Sequence, residues 1–202
     1  MVANESSFYN LLSEMAVLFE LEGTDEALQT SVALTGAIGN GAPELAKPYA
    51  LDDMIQDGLR LAIHPGAVAV RQAHPVLHWA ATAILDEYAS SSVSRHFTVV
   101  SLMGPGQFIE HDFLRAGLYM QTPNSYYQLH HHEAAETYII LHGRAEWTAG
   151  DVIGNYGPNK IIHHTPYLPH AFQTFKAPLL AFWRWSGNID VDTYKLLDDP
   201  KV

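Results

Sequence analysis

The chain has 202 residues, of which 48% are hydrophobic, and its composition is typical of a globular protein with a sizeable core. Its formal net charge of -11 and the lack of a basic stripe argue against a phosphate-binding surface, so we expect no nucleic-acid partner. It contains no cysteine, which excludes disulfides, thiolate metal sites and a cysteine nucleophile.

The first half of the sequence is predicted to be helical, because apolar residues recur there at helical spacing. The amino-terminal stretch lacks the basic segment of a signal peptide, and glutamates interrupt its apolar residues, so we expect a cytoplasmic protein without a membrane span. Thr24 is a candidate N-cap for the second helix, and Pro75 suits the first turn of the last one. The candidate helices cover residues 6–23, 24–39, 51–63 and 75–89.

After Arg95 the pattern changes to short segments that are rich in β-branched and aromatic residues and are separated by Gly, Pro and Asn. The segments are RHFTVVSLMG, AGLYMQT, ETYIILHG, AEWTAG, KIIHHT and PLLAFWRWSG. Helices followed by strands predict a mainly β fold in which a helical region, residues 1–94, covers a β-barrel or sandwich, residues 95–202. The glycines of residues 104–115 would permit this loop to act as a lid.

The stretch HHHEAAETYIILHG, residues 130–143, predicts a metal site. On an unbroken strand, His130, His132, Glu136 and Tyr138 would share one face, because side chains alternate. A further donor is expected from His170 in TPYLPHAF. Imidazole and carboxylate ligands suit divalent zinc, iron or manganese, and a histidine-rich surface loop is the alternative.

The same residues resemble the cupin superfamily, whose first motif is H-x-H, three or four residues, E, six residues and G. His130, His132, Glu136 and Gly143 fall on this pattern, and His170 resembles the histidine of the second motif. The resemblance implies a single cupin β-barrel of the jelly-roll type. Asn124, Tyr167 and Thr174 stand where the pattern has Gly, Gly and Asn.

The tyrosine of ETY, with YLPHAF and PLLAFWRWSG, narrows the resemblance to the cupin-type dimethylsulfoniopropionate lyases, the DddQ-like group. The resemblance implies a metal-dependent carbon–sulfur lyase that forms dimethyl sulfide and acrylate. It assigns His132, Glu136 and His170 as ligands of one divalent metal ion and leaves His130 as a fourth ligand or a partner of one. Tyr138 is the candidate base, and the alternative is that its side chain only fills the core.

A substrate with a carboxylate and a sulfonium group needs a slot for its cation, and aromatic faces provide one. Tyr127 and Trp185 are the candidates for this role, together with Trp183, for which core packing is an equal alternative. His163 and His164 lie near His170 in the sequence and receive no assigned role.

Two other functions fit the same motif. One is another cupin enzyme, such as an iron dioxygenase, since the same ligands bind iron(II) with positions open for oxygen. The other is a non-catalytic small-molecule-binding cupin. The sequence is compatible with either a monomer or a homodimer.

Overall fold

The computed structural model describes residues 2–80 and 96–201. The first of these segments is helical and contains four α-helices and one 3₁₀ turn. The helices are α1 (Val2–Glu20), α2 (Asp25–Gly36), α3 (Asp52–Leu59) and α4 (Pro65–Ala73), and the 3₁₀ turn is His74–Val76. Thr24 caps α2 as predicted, because its side chain accepts a hydrogen bond from the backbone N–H of Ala27 at 3.2 Å. None of the helices in the described segments is long and apolar enough to cross a membrane.

The second segment forms ten strands in two antiparallel sheets. The strands are β1 (Phe97–Met103), β2 (Leu114–Gln121), β3 (Tyr126–His131), β4 (Ala135–His142), β5 (Ala145–Ala149), β6 (Val152–Tyr156), β7 (Ile161–His164), β8 (His170–Thr174), β9 (Leu179–Ser186) and β10 (Lys195–Leu196). The first sheet has the order β1-β2-β9-β4-β7 and the second has the order β10-β3-β8-β5-β6. The sheets remain separate, as in a jelly roll, so the mainly β fold predicted from the sequence is confirmed.

The helices cover the outer face of the first sheet. Phe8 and Leu11 of α1 belong to one buried cluster with Leu118 of β2 and Phe182 of β9. Alternate residues of the strands point inward, where Ala181 belongs to a second cluster between the sheets. In the first cluster, both the helices and the sheet contribute apolar side chains. Their burial against one another holds the helical region on the sheet.

A buried ion pair between Arg184 and Glu22 crosses this helix–sheet interface. Arg184 of β9 has no solvent exposure, and its Nη1 lies 2.8 Å from Oε2 of Glu22, just beyond α1. Nη2 of the same guanidinium donates to Oε1 of Glu22 at 2.9 Å, and Thr137 of β4 donates its hydroxyl to that oxygen. The end of α1 is therefore fixed behind the two strands that carry Trp183, Trp185 and Glu136.

Two local predictions were wrong. The helix expected over residues 75–89 is not formed at its start, because only His74–Val76 is a 3₁₀ turn and Ala80 pairs with Val99 of β1. The rest of that prediction and the boundary expected between residues 94 and 95 lie outside the described residues. The strand expected through His130 and Tyr138 is interrupted between β3 and β4, which belong to different sheets.

Candidate metal and substrate site

A cavity of about 330 Å³ lies between the two sheets. Seven of the eight side chains predicted for the site line it, namely His130, His132, Glu136, Tyr138, Tyr127, Trp183 and Trp185. The eighth, His170, lies against them, with its ring centroid 4.0 Å from that of His130. The fold therefore brings together residues from both sheets and from the turn after β3.

The rings of His130, His132 and His170 are held in the same way. In each ring, Nδ1 lies 2.8 or 2.9 Å from the carbonyl oxygen of a residue two positions away. A carbonyl oxygen only accepts, so Nδ1 must carry the proton in each case. The Nε2 atoms then keep their lone pairs, which is the form of imidazole that binds a metal.

These nitrogens converge on one carboxylate. Nε2 of His132 and Nε2 of His170 lie 3.4 Å and 3.1 Å from Oε2 of Glu136. Both nitrogens are buried and have no hydrogen-bond partner among the described residues. His130 offers a further ligand atom, within 4.8 Å of those of His132 and His170. Because these lone pairs face a carboxylate, the site accommodates a positive charge, which is either a proton on a ring nitrogen or a metal ion. The nitrogen and oxygen donors fit a divalent transition metal.

Glu136 is ionised in this environment. Burial by itself would raise the pKa of its carboxyl group. A proton on Nε2 of a neighbouring histidine, above all His132, opposes this by hydrogen bonding and charge and holds the pKa well below its usual range. The carboxylate is also fixed from the other side, since Trp185 donates its indole N–H to Oε1 at 2.7 Å.

The register of the first sheet explains these contacts. β4 lies between β9 and β7, and Glu136 pairs with Trp185 on one side and with His164 on the other. Cross-strand partners share one face of a sheet, so the three side chains form a row on the inner face, in which Glu136 and Trp185 line the cavity.

His164 is a buried part of the site to which the sequence led us to assign no role. Its Nδ1 lies 3.3 Å from Oε2 of Glu136, and its Nε2 accepts the indole N–H of Trp147 at 2.9 Å. Burial first, and then the charge of His170, lower its pKa to about 4, so the ring is neutral at physiological pH. The adjacent His163 points outward instead and lies beside Thr137.

Tyr138 lies on the same face of β4 as Glu136, two residues further on, and only 4% of it is exposed. Burial, the charge of Glu136 and the proximity of Tyr119 raise its pKa well above the usual value. The tyrosine is therefore protonated unless a positive charge in the site offsets these effects.

The three aromatic residues predicted to contact a cation have their polar groups occupied. Trp183 donates its indole N–H to the carbonyl of Leu118 at 3.1 Å, and the hydroxyl of Tyr127 lies 3.0 Å from that of Tyr194. Trp185 is engaged with Glu136. What they offer to the cavity is therefore ring surface, which suits a cation without acidic protons.

Sequence reasoning gave no place in the site to Tyr194, Arg115 and His164. Tyr194 and Arg115 line the cavity, and His164 contacts Glu136. Tyr194 follows a 3₁₀ turn near the carboxyl terminus, where no sequence pattern predicts a strand or a motif. For His164 a signal existed, because a strand that alternates faces must direct one of the two adjacent histidines inward.

A family model and a curated relative name the same kind of protein. A model of the dimethylsulfoniopropionate lyase family matches residues 44–181. Over 204 aligned residues, which span this chain and 98% of the relative, the chain is 29% identical to dimethylsulfoniopropionate lyase DddQ of Ruegeria pomeroyi.

Two solved structures share the fold. The crystal structure of DMSP lyase DddQ from Ruegeria pomeroyi superimposes with a TM-score of 0.68 at 24% identity, covering 96% of this chain and 98% of that one. A chain from crystal structures of the DMSP lyases RdDddP and RnDddQII gives a TM-score of 0.69 at 20% identity, covering 96% of this chain and all of that one. The helical region and both sheets are therefore common to these proteins.

Proposed function

The chain belongs to the dimethylsulfoniopropionate lyase family, and from this membership we propose that it cleaves dimethylsulfoniopropionate into dimethyl sulfide and acrylate with the help of a bound metal ion. One observation carries the proposal: three imidazole groups and the carboxylate of Glu136 converge beside a cavity with aromatic walls. Such a cavity offers a place for each end of the substrate.

The ion would be held by His130, His132, Glu136 and His170. When bound, a divalent ion such as zinc, iron or manganese would supply positive charge that attracts the substrate carboxylate and favours the phenolate form of Tyr138. The chain prepares these ligands by fixing the histidine tautomers through backbone carbonyls.

Tyr138 is the proposed base. Its phenolate takes the proton from the carbon next to the substrate carboxylate. The electron pair of that C–H bond becomes the double bond of acrylate, the C–S bond breaks, and its electrons leave with dimethyl sulfide. Tyr138 must then return its proton to solvent before the next cycle. No oxidant or reductant is consumed.

The aromatic rings orient the other end of the substrate. A sulfonium group has no N–H or O–H to donate, so the faces of Tyr127, Trp183 and Trp185 bind it through their quadrupoles. Because the polar groups of these residues are occupied elsewhere, the rings keep fixed positions while the substrate enters. A fixed slot holds the C–S bond in the orientation that elimination requires.

The test is a product assay with defined metals. The purified protein is stripped with a chelator, reloaded separately with zinc, iron(II) or manganese, and mixed with dimethylsulfoniopropionate in the absence of oxygen. We expect equal amounts of dimethyl sulfide in the headspace and acrylate in solution. No product with any metal would refute the proposal, and oxygen uptake in a parallel aerobic reaction would indicate the dioxygenase alternative.

Neighbouring histidines provide a matched control. His132→Ala removes a nitrogen that faces Glu136 and should abolish product formation. His131→Ala changes the adjacent residue, whose ring packs on Tyr167 outside the cavity, and should leave activity largely intact. Equal losses in both variants would contradict the assignment.

A further inference from the structure

His164 differs from the three candidate ligand histidines in the direction of its hydrogen bonds. Its Nε2 accepts the indole N–H of Trp147 at 2.9 Å, whereas the Nε2 atoms of His132 and His170 have no hydrogen-bond partner among the described residues. An indole nitrogen only donates, so Nε2 of His164 carries no proton. The proton of this imidazole is therefore on Nδ1, the atom that lies 3.3 Å from Oε2 of Glu136.

We propose that His164 is a positioning residue, which Trp147 holds in the tautomer that donates its Nδ1–H to Glu136, and that it is not itself a metal ligand. The inference rests on the metal site of the proposed function and deepens it. The inference gives the buried residues His164 and Trp147 the task of orienting Glu136. In this role neither residue contacts the substrate or binds the ion.

Distance alone would permit a different assignment. Ligand atoms of Glu136, His164 and His170 lie within 4.8 Å of one another, as do those of His130, His132 and His170. Binding through Nδ1 of His164 would need a lone pair where the tautomer places a proton. The two sets therefore differ in chemistry, although their spacing is alike.

The buried surroundings of His164 and Trp147 prevent the imidazole ring of His164 from flipping. His164 and Trp147 are at most 1% exposed, and the Trp147 ring stacks on Phe172 at 3.9 Å with an interplanar angle of 10°. His164 pairs with Glu136 across β4 and β7, whereas Trp147 belongs to the opposite sheet. The hydrogen bond from Trp147 to His164 thus links the two sheets behind the carboxylate.

Glu136 is consequently oriented through both oxygens. Trp185 donates to Oε1 at 2.7 Å and His164 to Oε2 at 3.3 Å. A carboxylate with two external donors loses little rotational freedom on binding an ion, and removal of such supporting partners typically costs roughly 10- to 100-fold in metal affinity.

Metal binding by three variants tests the inference, with cobalt(II) as the probe. His164→Asn keeps an N–H donor near the position of Nδ1, His164→Leu keeps neither nitrogen, and Trp147→Phe removes the donor that fixes the tautomer. Cobalt affinity is measured by competition with a chelator, and the visible spectrum of bound cobalt reports the ligand set. His170→Ala serves as the reference for loss of a ligand.

We expect one cobalt per chain and an unchanged spectrum in His164→Asn, with an affinity within about 3-fold of the parent protein. His164→Leu and Trp147→Phe should bind roughly 10- to 100-fold more weakly. Parent-like affinity in His164→Leu would overturn the inference. So would a His164→Asn variant that matches His170→Ala in affinity and spectrum, because His164 would then be a ligand.

Further readouts separate this inference from folding defects and from the proposed reaction. Circular dichroism reports whether each variant folds. If His164→Leu does not fold, His164→Asn and Trp147→Phe still test the inference. Parent-like affinity in Trp147→Phe would overturn the claim that Trp147 fixes the tautomer of His164. Cobalt binding without lyase activity would refute the reaction alone. A parent chain that binds no cobalt would refute the metal site and this inference together.

Discussion

Trp185 donates its indole N–H to Oε1 of Glu136 across the β9–β4 pair, at 2.7 Å, while its ring lies 4.2 Å from that of His132. A residue predicted from the sequence to face a cationic substrate thus also supports the carboxylate that would bind the metal. The two tasks involve different parts of one side chain, the N–H edge and the ring face, so they can be separated by mutation.

Trp185→Phe keeps a ring and removes the N–H. We expect metal affinity to fall roughly 10- to 100-fold, as for other supporting partners of metal ligands. Trp183→Phe is the matched control, because its indole N–H is bound to the carbonyl of Leu118 and not to Glu136. Competition titrations with a chelator measure the zinc affinity of both variants. Equal affinities would show that the hydrogen bond from Trp185 to Glu136 does not contribute to metal binding.

Tyr138→Phe should retain the metal and lose the reaction. Loss of a general base typically lowers the rate by roughly 100- to 10,000-fold, and the measurement is kcat for acrylate formation at fixed metal content. Tyr119→Phe removes another hydroxyl from the same cavity, one that donates to Gln121, and should have a much smaller effect. A fully active Tyr138→Phe variant would exclude this tyrosine as the base.

Trp183→Leu removes one aromatic wall of the proposed sulfonium slot. Because a cation–π contact contributes about 0.5 to 2 kcal/mol, KM for dimethylsulfoniopropionate should rise about 2- to 30-fold. Inhibition by acrylate, which has a carboxylate but no sulfonium group, should change little. An equal weakening of both would mean that Trp183 supports the cavity without contacting the cation.

The ion pair between Glu22 and Arg184 predicts how stability depends on pH. Burial opposes ionisation of Glu22, but hydrogen bonds from His163 and Arg184 and the charge of the guanidinium lower its pKa from 4.5 to about 2. Its contribution to stability is therefore fully present above pH 4.5 and is lost as the pH falls towards 2.

Glu22→Gln tests this pair. At neutral pH it leaves a buried guanidinium without its counter-ion, which should lower the free energy of unfolding by roughly 3 to 5 kcal/mol. The difference between parent and variant should shrink as the pH falls through the window between 4.5 and 2. Denaturant unfolding followed by tryptophan fluorescence measures both quantities, and a difference independent of pH would contradict the assignment.

Much of the site was predictable because its spacing reflects strand geometry. His130 lies on β3, and Glu136 and Tyr138 lie on β4. The side chains of a strand alternate between its two faces, so an even spacing indicated a shared direction. His132 faces the same cavity for another reason: it follows the end of β3, where the chain crosses from the second sheet to the first. The spacing thus predicted which residues converge, although the unbroken strand assumed for it is not formed.

The fold class was predictable from the change of hydrophobic period near Arg95, but partners distant in sequence were not. His164 meets Trp147 and Glu136 only because β7, β5 and β4 are brought together by the two sheets. The helix expected from Pro75 is not formed at its start, where Ala80 pairs with Val99 of β1, a tertiary contact between residues distant in sequence.

The position of Arg184 limits how this protein can be shortened. The arginine lies on β9 between the two tryptophans of the cavity wall, and its guanidinium is paired with Glu22 of the helical region. Deletion of that region would expose the apolar outer face of the first sheet and leave the charge of Arg184 unpaired. The unpaired charge would lie on β9, which also carries Trp183 and Trp185 of the cavity wall. A truncated β domain would therefore make a poor scaffold for enzyme engineering, and grafts or permutations should keep the two regions covalently or non-covalently together.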